Sequence, residues 1–93
     1  MFITFEGLDG SGKSTQTELL AEAIRAMGRD VVTTREPGGT QLGERVRELL
    51  LTGNPISPWA EAALFAAARA ELVEEVIGPA LERGAIVVCD RYL

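Results

Sequence analysis

The sequence has 93 residues, the length of one small domain and not of two, and a domain of this size buries only about two-thirds of the surface its unfolded chain exposes. With 46 % hydrophobic and 25 % charged residues the composition is globular and excludes disorder. A net charge of −5 excludes broad, non-specific association with nucleic acid, because no extended basic surface is available to neutralise a phosphate backbone.

Phe2-Ile3-Thr4-Phe5 reads as a first strand, and it runs into Gly7-Leu8-Asp9-Gly10-Ser11-Gly12-Lys13-Ser14-Thr15, which fits Gly-x4-Gly-Lys-Ser/Thr without a mismatch. A helix over Thr15–Met27 follows, so the strand–loop–helix context of a phosphate loop is complete. The glycines let successive backbone N–H groups turn inward toward phosphate oxygens, and the helix N-terminus adds the positive end of its dipole. In such a loop Lys13 reaches the β/γ-phosphates of ATP and the Ser14 hydroxyl ligates Mg²⁺. Leu19, Leu20, Ala23, Ile24 and Met27 recur at helical spacing as the expected inner stripe, and Gly28 supplies a left-handed stop.

Asp30-Val31-Val32-Thr33-Thr34 is a β-branched run and reads as strand two, ending at Arg35-Glu36-Pro37-Gly38-Gly39. Thr40 caps a helix whose Leu42, Val46, Leu49 and Leu50 share a face and which Gly53 closes. Ser57-Pro58 opens an Ala-rich helix to about Ile77, and Gly78-Pro79 is expected to kink it or start a fresh one ending at Gly84. Ala85-Ile86-Val87-Val88-Cys89 is apolar at every position, as in a parallel strand covered on both faces, and Asp90-Arg91-Tyr92-Leu93 follows. If strand three lies beside strand one, roughly 4.8 Å away, Asp90 emerges beside Lys13 and Ser14 and can hold Mg²⁺, while Arg91 can clamp a phosphate. The single cysteine, Cys89, reads as a buried thiol in a reducing cytoplasm. No basic leader precedes strand one and no run approaches the ~18 apolar residues of a membrane span, so a soluble, cytoplasmic protein without membrane contact is expected.

Strands alternating with helices imply a parallel α/β sheet with right-handed crossovers and ligands at the carboxyl ends of the strands. The order of motifs resembles the bacterial form of thymidylate kinase: the phosphate loop, Thr34-Arg35-Glu36-Pro37-Gly38-Gly39-Thr40, Leu64-Phe65-Ala66-Ala67-Ala68-Arg69, and Cys89-Asp90-Arg91-Tyr92. The resemblance implies a P-loop NTPase fold, a three-layer α/β/α arrangement, with residues 1–93 as the N-terminal part of one nucleoside monophosphate kinase domain. They carry the first three strands in the order 2-3-1. It implies transfer of the ATP γ-phosphoryl group to dTMP, giving dTDP.

By the same resemblance, Phe65 stacks on thymine and Arg69, four residues on and so on the same helix face, donates to its O4. Cytosine, with a donor at that position, is then disfavoured. Asp9 corresponds to an acid that contacts the sugar 3′-hydroxyl near the acceptor phosphate. Arg35, Glu36 and Arg47 correspond to residues around that phosphate and its ordered water or metal, and the bond before Pro37 to one that is often cis. A homodimer through the second and third helical stretches is implied as well. Gly10 stands where one subgroup places a catalytic Arg, and the lid that supplies it in the other lies much later in that family's chain, so a fragment lacking that lid is expected to be inactive. The alternatives are another P-loop nucleoside or nucleotide kinase and a non-catalytic nucleotide-binding module.

Overall fold

In the computed structural model, which describes residues 1–7 and 13–92, with the side chains of 13, 14 and 92 outside the description, alternation along the strands sets the layering. Three parallel strands, β1 (Phe2–Gly7), β2 (Val31–Glu36) and β3 (Ile86–Tyr92), lie in the order β1-β3-β2, with β3 in the centre. This is the arrangement expected from the resemblance. The apolar run is why β3 is central: Ala85, Val87, Val88 and Cys89 are all fully buried, which requires cover on both faces. Ile86 and Val88 join Val31, Ala21 and Ile24 on one face, with Ile3, Phe5 and Leu20 at its margin. Val87 joins Leu72, Ile77, Ala80 and Ala85 on the other. Successive side chains thus serve opposite layers, and the result is helix, sheet, helix.

The first helix, α1 (Lys13–Ala26), ends where Gly28 takes φ +79 and donates to the Arg25 carbonyl at 2.9 Å. Its inner face is Thr17, Ala21 and Ile24 with Leu20 half-buried, while Leu19 and Met27 from the expected stripe are exposed. Ala21 is fully buried at the centre of this face, which places Leu19 and Met27 on the side turned away from the sheet. Strand β2 runs two residues further than the β-branched run indicates, because β3 supplies partners for both: Arg35 pairs in register with Asp90 and Glu36 with Arg91.

The Glu36–Pro37 peptide bond is cis. Behind it Gly39 takes φ +79, and a Cβ there would lie 2.7 Å from a Leu72 methyl and closer still to the Thr34 hydroxyl, so only glycine fits. Helix α2 (Gln41–Thr52) starts at Thr40, whose hydroxyl accepts from the Gly43 N–H at 2.9 Å. Of its expected apolar face Val46 is buried and Leu50 partly so, but Leu42 and Leu49 remain exposed. Helix α3 (Pro58–Leu72) is capped by Ser57, which accepts from the Ala60 N–H at 3.2 Å. At Gly78-Pro79 the fresh short helix that was one of the two expectations follows. A π turn over Val73–Ile77 leads directly into α4 (Gly78–Glu82), with the Gly78 N–H reaching the Val73 carbonyl. Pro79 has no N–H for the preceding turn and its ring crowds a carbonyl there; the wider turn takes up that mismatch, and Gly84, at φ +83, follows the short helix as expected.

Candidate active site

Because β2 and β3 stay paired as far as Glu36 and Arg91, the carboxyl end of the sheet presents alternate side chains to two separate clefts. The larger, about 680 Å³, lies on the α3 side and is lined by Glu36, Leu50, Glu61, Phe65, Ala66, Arg69 and Arg91. The smaller, about 360 Å³, runs along the β2 edge toward α1 and includes Thr17, Glu18, Arg35, Glu44 and Asp90. Asp90 and Arg91 are neighbours in sequence and face different clefts.

In the larger cleft the central group is the Glu36 carboxylate, whose side chain is only 10 % exposed. Arg69 donates to it twice, from Nε at 2.6 Å and Nη2 at 3.3 Å, and Arg91 Nε is an ion-pair contact at 3.2 Å. The Cys89 thiol donates to the same carboxylate at 3.8 Å. Arg91 continues the chain of alternating charge to Glu6, donating from Nη1 at 2.8 Å. The Glu36 hydrogen bond raises the Arg69 pKa further, so its charge is permanent. Burial first, and then the Glu36 charge, push the Cys89 thiol up to about 12, which keeps it a protonated donor. Phe65 and Arg69 share one wall, as their spacing requires, so the wall offers an apolar ring face beside a planar cation.

In the smaller cleft Arg35 forms two charge-assisted bonds to Glu44, Nε–Oε2 at 3.1 Å and Nη2–Oε1, and Glu44 also accepts from the Gly39 N–H at 2.8 Å. The Arg35 guanidinium holds the Glu44 carboxyl below its ordinary range. Arg47 donates from Nη1 to the Pro37 carbonyl at 3.2 Å, which ties α2 to the loop. Of the residues expected around the acceptor, Glu36, Phe65, Arg69 and Arg91 therefore come together. Arg35 and Arg47 do not line that cleft: β2 continues through Arg35 and Glu36, so the two project to opposite faces instead of emerging from one loop.

Asp90 shares its cleft with Thr17, one turn into the helix that Lys13 opens, so the carboxylate lies on the α1 side. Leu8, Asp9, Gly10, Ser11 and Gly12 fall outside the described residues, as do the side chains of Lys13 and Ser14. Gly7 ends β1, and Thr15 is exposed in the first turn of α1. Sequence reasoning passed over three participants: Glu44, Glu6 and Glu61. For Glu44 a signal was present, an acid in the first turn of a helix that follows a Gly-rich loop carrying an arginine. Among the described residues no group of three or more His, Cys, Asp or Glu side chains is placed to hold a metal on its own.

The family model for thymidylate kinase matches residues 5–93. The chain belongs to the thymidylate kinase family. It is 60 % identical over 95 residues to the thymidylate kinase of Pelotomaculum thermopropionicum, covering 98 % of this chain and 43 % of that protein. It is 58 % identical to that of Exiguobacterium sp., covering all of this chain and 45 % of that protein. The crystal structure of thymidylate kinase from Ehrlichia chaffeensis superposes with a TM-score of 0.89 at 49 % identity, covering 98 % of this chain and 53 % of that chain. This chain thus spans less than half the length of these two curated relatives. Its α/β architecture with a parallel sheet is the family's, and the homologues are named for a phosphotransferase.

Proposed function

We propose that these residues bind dTMP in the α3-side cleft and ATP at the loop between β1 and α1, within an enzyme that transfers the γ-phosphoryl group to give dTDP. The observation that carries the reading is the meeting of Phe65, Arg69, Glu36 and Arg91, from three different elements, around one open cleft of about 680 Å³, a volume suited to one nucleotide. Phe65 would take the pyrimidine face, Arg69 its O4, and Arg91 the phosphate side. On the other face, Lys13 and the loop N–H groups would neutralise the donor phosphates while Asp9 reaches the sugar of the acceptor. Arg47, bonded to the Pro37 carbonyl, and Arg35, tied through Glu44 to the Gly39 N–H, would shape the approach to the transferring group.

Asp90 suits Mg²⁺ as a hard carboxylate oxygen in a cleft on the α1 side, and Ser14 would complete the protein's share of the ligands. When bound, the ion supplies charge neutralisation on the phosphates. Catalysis of this transfer is mostly positioning plus charge stabilisation, which is why the residues named are cations, amides and acids and include no covalent nucleophile.

Exposed Leu42, Leu49 and Trp59 on α2 and α3 support a homodimer through these helices, checked by sedimentation velocity. Among the described residues no helix is long and apolar enough to cross a membrane, in keeping with a cytoplasmic location. The activity is tested by coupled ADP release with dTMP, dUMP, dCMP, AMP and thymidine in the full polypeptide that carries these residues. The expected result is turnover with dTMP above the rest. A preference for thymidine, or ATP binding without acceptor-dependent turnover, contradicts the reading.

A further inference from the structure

Glu36 is expected from the resemblance to lie at the acceptor phosphate, yet its surroundings assign it different work. An ionised carboxylate offers about four lone-pair positions. Around Glu36, Oε1 receives Arg69 Nε at 2.6 Å, and Oε2 receives Arg69 Nη2 at 3.3 Å, Arg91 Nε at 3.2 Å and the Cys89 thiol at 3.8 Å. Oε2 thus receives three contacts and Oε1 one, so the protein leaves only a single acceptor position on Oε1 beside the Arg69 Nε bond, and an anion brought against a carboxylate is repelled. We propose that Glu36 is a positioning residue that fixes the plane of the Arg69 guanidinium against the cleft wall, and that it makes no contact with the acceptor nucleotide.

The geometry of Arg69 follows. Its Nε–H and one Nη2–H are turned toward Glu36, so the edge bearing Nη1 is the one presented to a ligand. Arg69 is itself about half exposed, on a long side chain with several rotamers, and without a partner that ordering would have to be supplied when the ligand binds. Because Glu36 also contacts Arg91 on β3, one carboxylate sets the separation of two cations that come from different layers. This inference rests on the assignment of dTMP to this cleft.

The test is steady-state kinetics of Glu36→Gln, Arg69→Ala, Arg69→Lys and the double variant Glu36→Gln/Arg69→Ala in the full polypeptide. Glu36→Gln is expected to raise the dTMP KM about tenfold while moving the ATP KM less than about twofold. In the Arg69→Ala background the same change is expected to add less than about twofold, since the Arg69 guanidinium is gone and Arg91 is still held by Glu6. A second loss of about tenfold in that background, or an unchanged dTMP KM for Glu36→Gln alone, overturns the inference. Arg69→Lys keeps a cation beside Glu36 but lacks the fork, so it should lose dTMP as severely as Arg69→Ala; a dTMP KM within about twofold of the parent overturns the inference even where Glu36→Gln does not fold. If Arg69→Ala itself leaves the dTMP KM unchanged, the fault lies in the cleft assignment instead.

Discussion

The two clefts at the carboxyl end of the sheet differ in how their arginines are held. On the α3 side Arg69 is bound by Glu36, an acid that is itself nearly buried, and the cleft they line is wide and partly apolar. Along the β2 edge Arg35 is bound by Glu44, and both partners are close to half exposed, in a smaller depression lined mostly by threonine and charged residues. A buried acid fixes the geometry of its cation with little screening, whereas an exposed pair is screened and worth little by itself. The first arrangement suits selection of a ligand by shape and hydrogen bonding. The second suits loop tethering beside the proposed ATP phosphates.

If that contrast is correct, the largest effect belongs to the donor side. Lys13→Ala should lower kcat on the order of 10²–10³ while shifting Tm by no more than about 2 °C, because a loop lysine stabilises transferring charge and not the core. Equal losses of activity and stability would remove Lys13 from the chemistry. Next, Arg69→Ala should lower kcat/KM for dTMP by about 10–100-fold and leave the ATP dissociation constant unchanged, as expected for one hydrogen bond from a charged group. Loss of ATP affinity in this variant would mean that the two clefts are not separate sites.

The third prediction concerns stability and pH on the α3 side. Cys89 has its folded pKa raised, from 9.0 to about 12, so the stabilisation is fully present below pH 9.0 and is lost as pH rises toward 12. Denaturation midpoints measured at pH 8 and pH 10 should fall for the parent, and the Cys89→Ala variant should show a shallower fall. An identical slope in the two proteins would show that the thiol is not the titrating group. The smallest effect is expected at Glu44, whose lowered pKa contributes stability above its ordinary value of 4.5 that is lost as pH falls through the lower folded value. With both partners so exposed, Glu44→Gln should cost under about 1 kcal/mol at pH 7 and flatten the acid limb slightly. A larger loss would mean that the Gly39 tether matters more than the ion pair.

Most of the architecture was readable from local pattern. The continuous apolar run at 85–89 required a strand covered on both faces, and the resemblance to the family supplied its central place in the sheet. The caps at Thr40 and Ser57 and the left-handed stops at Gly28 and Gly84 were equally legible, because each depends on a few neighbouring residues. What was not legible was where β2 would stop. Pairing with β3 decides it, and extending the strand by two residues sends Arg35 and Glu36 to opposite faces.

The Glu36 hub shows the same limit. Its donors lie 33 residues away on α3 and 53 and 55 residues away on β3, and no spacing rule joins acids to arginines across such distances. The exposure of Leu19 and Met27 has a similar origin, since packing against the sheet, with Thr17, Ala21 and Ile24 buried, decides which side of α1 faces inward.

The most direct test of the two-cleft account is the crystal structure of the full polypeptide with dTMP bound. The account predicts density for thymine against the Phe65 ring and within hydrogen-bonding reach of Arg69, on the α3 face of the sheet. Density for dTMP lodged between Asp90 and Arg35 instead would contradict it.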